Sequence, residues 1–141
     1  MDDRSLTIAL CRYLGRIPGW QWDETVGVVF DPERPAVHYG LLPPSPDQGI
    51  AVRVYGIPAN DMATERVRRV QFFTRGRPGD PGGADRLAGV LLGVLPHVIR
   101  MDGISEIQFS SMSPLGPDDN DRQTRSDNYL ITLDNPEASA S

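Results

Sequence analysis

The sequence predicts a single α+β domain, in which a four- or five-stranded, largely antiparallel sheet carries two helices packed on one face. Two segments place apolar residues at helical spacing, and four others alternate apolar and polar residues with the period of two expected for strands. The order along the chain (helix, two short extended pieces, two strands, helix, two strands) is typical of this fold class. A length of 141 residues fits one domain with a core of its own.

The first helix is predicted from a capped start and an apolar stripe. Asp2, Asp3 and Ser5 supply cap candidates and favourable negative charge at its beginning. The pair Pro18 and Gly19 ends it. The stripe that should face the core consists of Leu6, Leu10, Tyr13, Leu14 and Ile17.

The second helix is the clearest element of the sequence. Asp80 is a candidate cap with Pro81 at the first helical position, and Pro96 ends the helix. Several glycines inside it are costly for a helix, so we expect packing against the sheet to offset them. Its apolar face consists of Ala84, Leu87, Ala88, Leu91, Leu92 and Leu95.

The strands follow from alternation and from the turn residues that bound them. Short extended pieces are predicted at residues 26–30 and 36–42, and regular strands at residues 48–56, 66–75, 104–110 and 129–133. Residues 115–128 are too polar for a core and too long for a tight turn, so they are predicted to form a loop that contacts another subunit or a partner. The folded domain should span residues 1–133, and residues 134–141 should form a flexible C-terminal tail.

The sequence contains no pattern that catalysis or metal binding requires, so we predict no enzyme, no cofactor and no metal site. Cys11 lies in an apolar helical stretch, which is typical of a buried side chain. His38 and His97 are isolated from other potential ligands. The acidic run from Asp118 to Asp121 lacks the ligand spacing and the glycine of a calcium loop. No apolar run approaches the ~20 residues of a membrane span.

Five charged residues are the candidates for contact with a subunit or partner: Arg69, Arg75, Asp119, Arg122 and Arg125. The net charge of −5 argues against a protein that grips phosphate backbones. The basic strand that holds Arg69 and Arg75 could pair with acids of a neighbouring copy, although a solvated strand face is an equally good interpretation.

Arg122 is the strongest of these candidates, because a planar guanidinium can clamp a carboxylate with two hydrogen bonds. As an exposed residue it should be replaceable by alanine without loss of the fold. An acid of the same loop is the alternative partner.

Three short motifs occur in a fixed order along the chain. Residues 41–47 hold Leu-Leu-Pro and then Pro-Asp, and residues 70–76 read Val-Gln-Phe-Phe-Thr-Arg-Gly before the helix. The third motif consists of Leu115, Gly116, Asp118, Arg122, Ser126, Asn128 and Tyr129. In this order, from about Leu6 to Leu133, the chain resembles the tail terminators of long-tailed, siphovirus-type bacteriophages, some of which are catalogued as minor capsid proteins.

The resemblance implies a structural virion protein that caps the tail tube as a ring, commonly a hexamer, at the junction of tail and neck. Its partners would be further copies of itself, the major tail tube protein and a head–tail connector or stopper protein. DNA would pass through the ring without specific binding, and no membrane would be involved. The protein would be made in the cytoplasm of the bacterial host.

Two other classes of function stay open at this stage. One is a different neck protein, such as a head-completion or stopper protein, or a cellular protein-binding adaptor domain. The other is an enzyme whose site is assembled between subunits, for which a convergent pair of histidines, cysteines or carboxylates would be the sign.

Overall fold

The computed structural model describes residues 1–25, 27–58, 66–97 and 101–134, which form two helices and one five-stranded sheet. The helices are α1 (Asp3–Leu14) and α2 (Gly83–Val94), the latter followed by a short 3₁₀ turn, Leu95–His97. The strands are β1 (Ala36–Tyr39), β2 (Gly49–Gly56), β3 (Val67–Pro78), β4 (Ile104–Pro117) and β5 (Arg122–Leu133).

The strand order across the sheet is β1-β2-β3-β5-β4. β1 pairs with β2 in parallel, and the other three pairings are antiparallel. The predicted α+β fold with a largely antiparallel sheet is therefore confirmed. The two outer strands differ in kind, since β1 has 4 residues and β4 has 14.

Both helices cover the same face of the sheet. The register places Ile50, Val52, Val70 and Phe72 side by side on that face, and Tyr129 follows on the next strand. These side chains join the buried leucines of α1 and α2 in one hydrophobic cluster. The alternation read from the sequence thus selects the face that the helices bury.

The start of α1 agrees with the prediction, and its end comes earlier. The Oδ1 atom of Asp2 accepts a hydrogen bond from the backbone N–H of Ser5 at 2.7 Å, which is an N-cap contact. The helix ends at Leu14, with Gly15 as the C-cap. Ile17 therefore lies beyond the helix, although it still packs against the core cluster.

The predicted cap of α2 is wrong. The N-cap is Gly82, and no side chain caps the helix. Asp80 instead accepts a 2.6 Å hydrogen bond from Arg86. The helix begins at Gly83, which lies close against β3: a Cβ on Gly76 of that strand would lie 2.7 Å from the Gly83 Cα.

The polar loop predicted at residues 115–128 is also wrong. β4 runs to Pro117 and β5 begins at Arg122, so only residues 118–121 connect them. Most of the polar segment is strand whose backbone groups are paired across the hairpin, as at Pro117 with Gln123 and Ser113 with Ser126. The reason is that pairing between strands, here with a register shift between Pro114 and Gly116, satisfies the backbone of polar residues as well as that of apolar ones.

Two further predictions concern the ends of segments. Residues 27–30 are not part of a strand, and the extended piece at 36–42 is reduced to β1. Residue 26 lies outside the described residues, as do residues 135–141 of the predicted C-terminal tail.

Candidate functional site

The five predicted contact residues do not form one surface. Arg69 and Asp119 are exposed, whereas Arg75 and Arg122 are buried, with 6% and 5% of their surfaces accessible. Arg125 is partly buried. The expectation that Arg122 is an exposed residue is therefore wrong.

Arg75 is a structural donor to the segment between β1 and β2. Its Nε donates to the carbonyl oxygen of Asp47 at 2.8 Å. Its Nη2 donates to the carbonyl oxygens of Pro43 at 2.7 Å and Pro46 at 2.9 Å. Burial, and then the positive charge of Arg122, lower the pKa of Arg75 below its ordinary value. The guanidinium thus holds three carbonyls that have no strand partner.

Arg122 clamps the same segment to the β4–β5 turn. Its Nε donates to Asp118 Oδ2 at 2.8 Å. Its Nη1 donates to the Pro44 carbonyl at 2.8 Å and to Asp47 Oδ1 at 3.2 Å. The local acidic partner that the sequence left as an alternative is therefore present, and it is Asp118.

The Asp118 carboxylate also organises the turn itself. Its Oδ1 accepts from the backbone N–H groups of Asn120 at 3.0 Å and Arg122 at 2.9 Å. Burial alone would raise the pKa of Asp118, but the hydrogen bonds from Arg122 and Asn120 outweigh it and hold the pKa below its ordinary value. The conformation of the turn at residues 118–121 is consequently fixed by side-chain to backbone hydrogen bonds.

Arg125 faces the helices and joins α2 to the sheet. It donates to both carboxylate oxygens of Asp127, at 2.7 and 3.0 Å, and to Asp85 of α2 at 3.2 Å. Asp127 is fully buried, and its hydrogen bonds to Arg125 raise the pKa of that arginine. A similar contact, from Arg68 to Asp3 at 3.0 Å, joins β3 to α1.

The second face of the sheet carries no helix, and we call it the open sheet face. Strand alternation places Arg53 on it, opposite Gln71, and Arg69 opposite Leu130. Both arginines are exposed, and neither has a hydrogen-bond or ion-pair partner within residues 1–25, 27–58, 66–97 and 101–134. Arg53 is not among the five contact residues predicted from the sequence.

A broad groove of 780 Å³ lies along β1, at the opposite edge of the sheet from β4. Apolar side chains that include Trp22, Phe30 and Leu41 line it, and Asp23 and Glu24 contribute acidic groups. Leu41 is 75% exposed, so this wall of the groove is open to solvent.

Burial shifts the pKa values of Cys11 and His38 away from their ordinary values. Burial raises the pKa of Cys11 to about 12, so its thiol stays protonated at neutral pH. Burial, and then the charge of Arg75, lower the pKa of His38 to about 4. Within the part of the chain that the structure describes, no group of three or more His, Cys, Asp or Glu side chains could hold a metal ion. The side chain of His97 lies outside that part.

The described helices include none that is long and apolar enough to cross a membrane. A family model described as "Bacteriophage tail terminator protein" matches residues 21–135. The matched region contains all five strands and α2. No curated protein matches the sequence.

Proposed function

The chain belongs to the bacteriophage tail terminator family and is a structural component of the phage tail, and we propose that it caps the tail tube as a closed ring. The observation that carries this proposal is the family match, which covers residues 21–135. The family is structural rather than enzymatic, and the buried thiol of Cys11, whose pKa is raised to about 12, agrees with that role.

The outer edge of the sheet at β4 supports a ring. Along β4, most side chains from Gln108 to Pro117 are exposed, and among the described residues no strand pairs with its outer edge. An uncovered edge presents free backbone donors and acceptors to a second chain. In a ring, this edge would contact a different surface of the next copy, since contacts between unlike surfaces close into rings when the rotation between copies is a whole fraction of a turn.

The ring would stand at the junction of the tail with the neck of the virion. On one side it would contact the major tail tube protein, and on the other a head–tail connector or stopper protein. The net charge of −5 suits a channel through which DNA passes without specific binding. A hexamer is the expected ring size, because it is the common state implied by the family resemblance.

Complementation of a phage that lacks this gene tests the proposal. Without the protein, tails should be overlong or lack heads, and expression of the chain from a plasmid should restore normal particles in electron micrographs. Purified protein mixed with isolated tail tubes should appear as a ring at one end of each tube.

Binding to isolated portal complexes in place of tail tubes would instead identify a head-completion or stopper protein. A chain that binds neither tubes nor portals, and that leaves tail length unchanged when it is absent, would refute a terminator role.

A further inference from the structure

The end of the β4–β5 hairpin presents acidic groups that the molecule itself does not use. We call residues Leu115–Asp121 the hairpin tip. Asp118 is occupied by Arg122 and by the turn, but Asp119 and Asp121 are exposed and their side chains have no partner among the described residues. Leu115 of the same tip is 53% exposed. The tip therefore combines two free carboxylates with an apolar side chain.

The open sheet face presents the complementary groups. Arg53 and Arg69 are its two cations without a described partner, and they lie on neighbouring strands. A recess of 350 Å³ opens beside Arg53, and Leu41 and Phe73 line it together with the charged side chains of Arg75 and Asp118. The face therefore combines two free cations with a depression that is apolar in part.

Within one molecule, Asp118 of the tip lines the recess beside Arg53, but the free carboxylates of Asp119 and Asp121 cannot reach Arg69. The turn follows Pro117 and precedes Arg122, which pairs with Pro78 at the far end of β3. Pro78 lies nine residues after Arg69 along β3, which corresponds to roughly 30 Å. Within one molecule, the tip contacts this end of the sheet through Asp118, which accepts a hydrogen bond from Arg122. Any pairing of Asp119 or Asp121 with Arg69 must therefore involve a second molecule.

We propose that the hairpin tip of one copy packs on the open sheet face of the next copy, with Asp119 and Asp121 against Arg53 and Arg69. Leu115 then lies toward the recess beside Arg53. This inference rests on the proposed ring and names the contact that closes it. The contact joins unlike surfaces, so each copy offers one tip and one face, and the chain of contacts ends only when a ring closes.

The groove along β1 is the competing receptor for the tip, and charge decides against it. Asp23 and Glu24 line that groove, and Glu24 is paired with Arg12, so an acidic tip would meet the charge of Asp23, which has no ion pair among the described residues. The recess also holds a carboxylate, Asp118, but it lies there with the cations Arg53 and Arg75. Like charges brought together at an interface disfavour the wrong partner, whereas opposite charges steer and align the right one. The open sheet face is the surface that matches the tip in both charge and apolar character.

Charge reversal on each side tests the contact. The tip variant carries Asp119→Arg and Asp121→Asn, and the face variant carries Arg53→Glu and Arg69→Glu. Asparagine is chosen at position 121 because Asp121 has a φ of 57°, a conformation that asparagine tolerates. In matched controls, Asp102→Arg and the pair Arg4→Glu and Arg16→Glu reverse exposed charges elsewhere on the chain.

Each variant is expressed alone, and then both together, in bacteria infected by the phage that lacks this gene. Alone, each variant should lower the yield of infectious particles about tenfold or more, because every contact in its ring joins like charges. Together they should restore the yield, since an alternating ring pairs the arginine tip with the glutamate face and the natural tip with the natural face. Alternation requires an even number of copies, which a hexamer satisfies.

Thermal unfolding of each purified variant shows whether its fold is intact. Folded variants that give a normal yield alone, or that fail both alone and together, would overturn the proposed contact. In that case the wild-type protein would still cap tail tubes, and the ring function would stand. If wild-type protein failed to bind tail tubes, the proposed function itself would fall.

Discussion

Replacement of Arg122 by alanine should destabilise the protein, in contrast to what an exposed arginine would do. The side chain is 7% exposed and donates to Asp118, to Asp47 and to the carbonyl oxygen of Pro44. These contacts tie the β4–β5 turn to the segment between β1 and β2. The substitution therefore removes one group from three acceptors at once.

The size of the effect follows from those acceptors. Hydrogen bonds that involve a charged group contribute about 1.5–3 kcal/mol each, but the contributions of one side chain do not add in full. Asp47 and Asp118 keep 48% and 27% of their side-chain surfaces exposed, so water can replace part of what they lose. We expect the free energy of unfolding to fall by about 2–4 kcal/mol, which corresponds to a lowering of Tm by about 10 °C.

Urea unfolding of dilute protein, followed by circular dichroism, measures this change. Arg122→Lys should lie between wild type and alanine, because an ammonium group can reach one acceptor but lacks the planar fork that serves three. Arg16→Ala is the control, since Arg16 is exposed and should change stability by no more than about 0.5 kcal/mol. An Arg122→Ala protein as stable as the control would show that the buried hydrogen bonds of Arg122 do not stabilise the fold.

Four further predictions concern the core and its titration. Gly76→Ala should destabilise the protein, because the new Cβ would lie 2.7 Å from the backbone of α2. Gly89 has open space around it, so Gly89→Ala should stabilise the protein by about 0.5–1 kcal/mol. Urea unfolding of the two variants checks both expectations. Tyr129→Phe should be neutral or stabilising in the same assay, because the buried hydroxyl has no hydrogen-bond partner in the described structure while the ring packs edge-on against two phenylalanines. Burial and a neighbouring arginine lower the pKa of His38 from 6.5 to about 4, so the folded state resists protonation; the free energy of unfolding should decline as the pH falls from 6.5 toward 4, and His38→Phe should flatten that decline. Leu91→Asp should prevent folding, because it places an unpaired carboxylate in the fully buried cluster; a soluble variant with the wild-type circular dichroism spectrum would contradict this.

The sequence predicts the core well because alternation and helical spacing report burial directly. In the second half of β2, the buried Val52 and half-buried Val54 alternate with the exposed Arg53 and Tyr55, and the leucines of α2 recur at helical spacing. In such a pattern, apolar residues recur at the positions that face the core. The register of the central strands could therefore be anticipated in outline, although their exact ends could not.

The long β4–β5 hairpin could not be predicted, because its residues carry the composition of a loop. Its strands are held by backbone pairing and by polar contacts such as Thr124 Oγ1 to the Gly116 carbonyl at 2.8 Å. Neither strand shows a continuous apolar face along the polar stretch. Serine, asparagine and aspartate favour turns in isolation, and only the partner strand decides otherwise.

The burial of Arg75 and Arg122 could not be predicted from the sequence for a different reason. Their acceptors are mainly backbone carbonyls of a proline-rich segment, and a backbone acceptor leaves no trace in the identity of a residue. One signal was present: residues 43–46 include three prolines, which supply no N–H and cannot pair as a regular strand does. Their carbonyls need donors from elsewhere, and arginine supplies several from one side chain.

The position of the proline-rich segment also explains which arginines of the open sheet face stay exposed and available to a partner. Alternation places Arg53, Arg69, Arg75 and Arg122 on the open sheet face, but the segment between β1 and β2 covers only the end that holds the last two. Coverage, and not register, therefore separates the arginines that stabilise the fold from those that face solvent. Although the chain has a net charge of −5, the uncovered end of this face is locally positive because of Arg53 and Arg69. It therefore attracts an acidic surface. The free carboxylates of the hairpin tip are such a surface, and because they lie at the far end of the same sheet, attraction between the two favours assembly over any contact within one molecule.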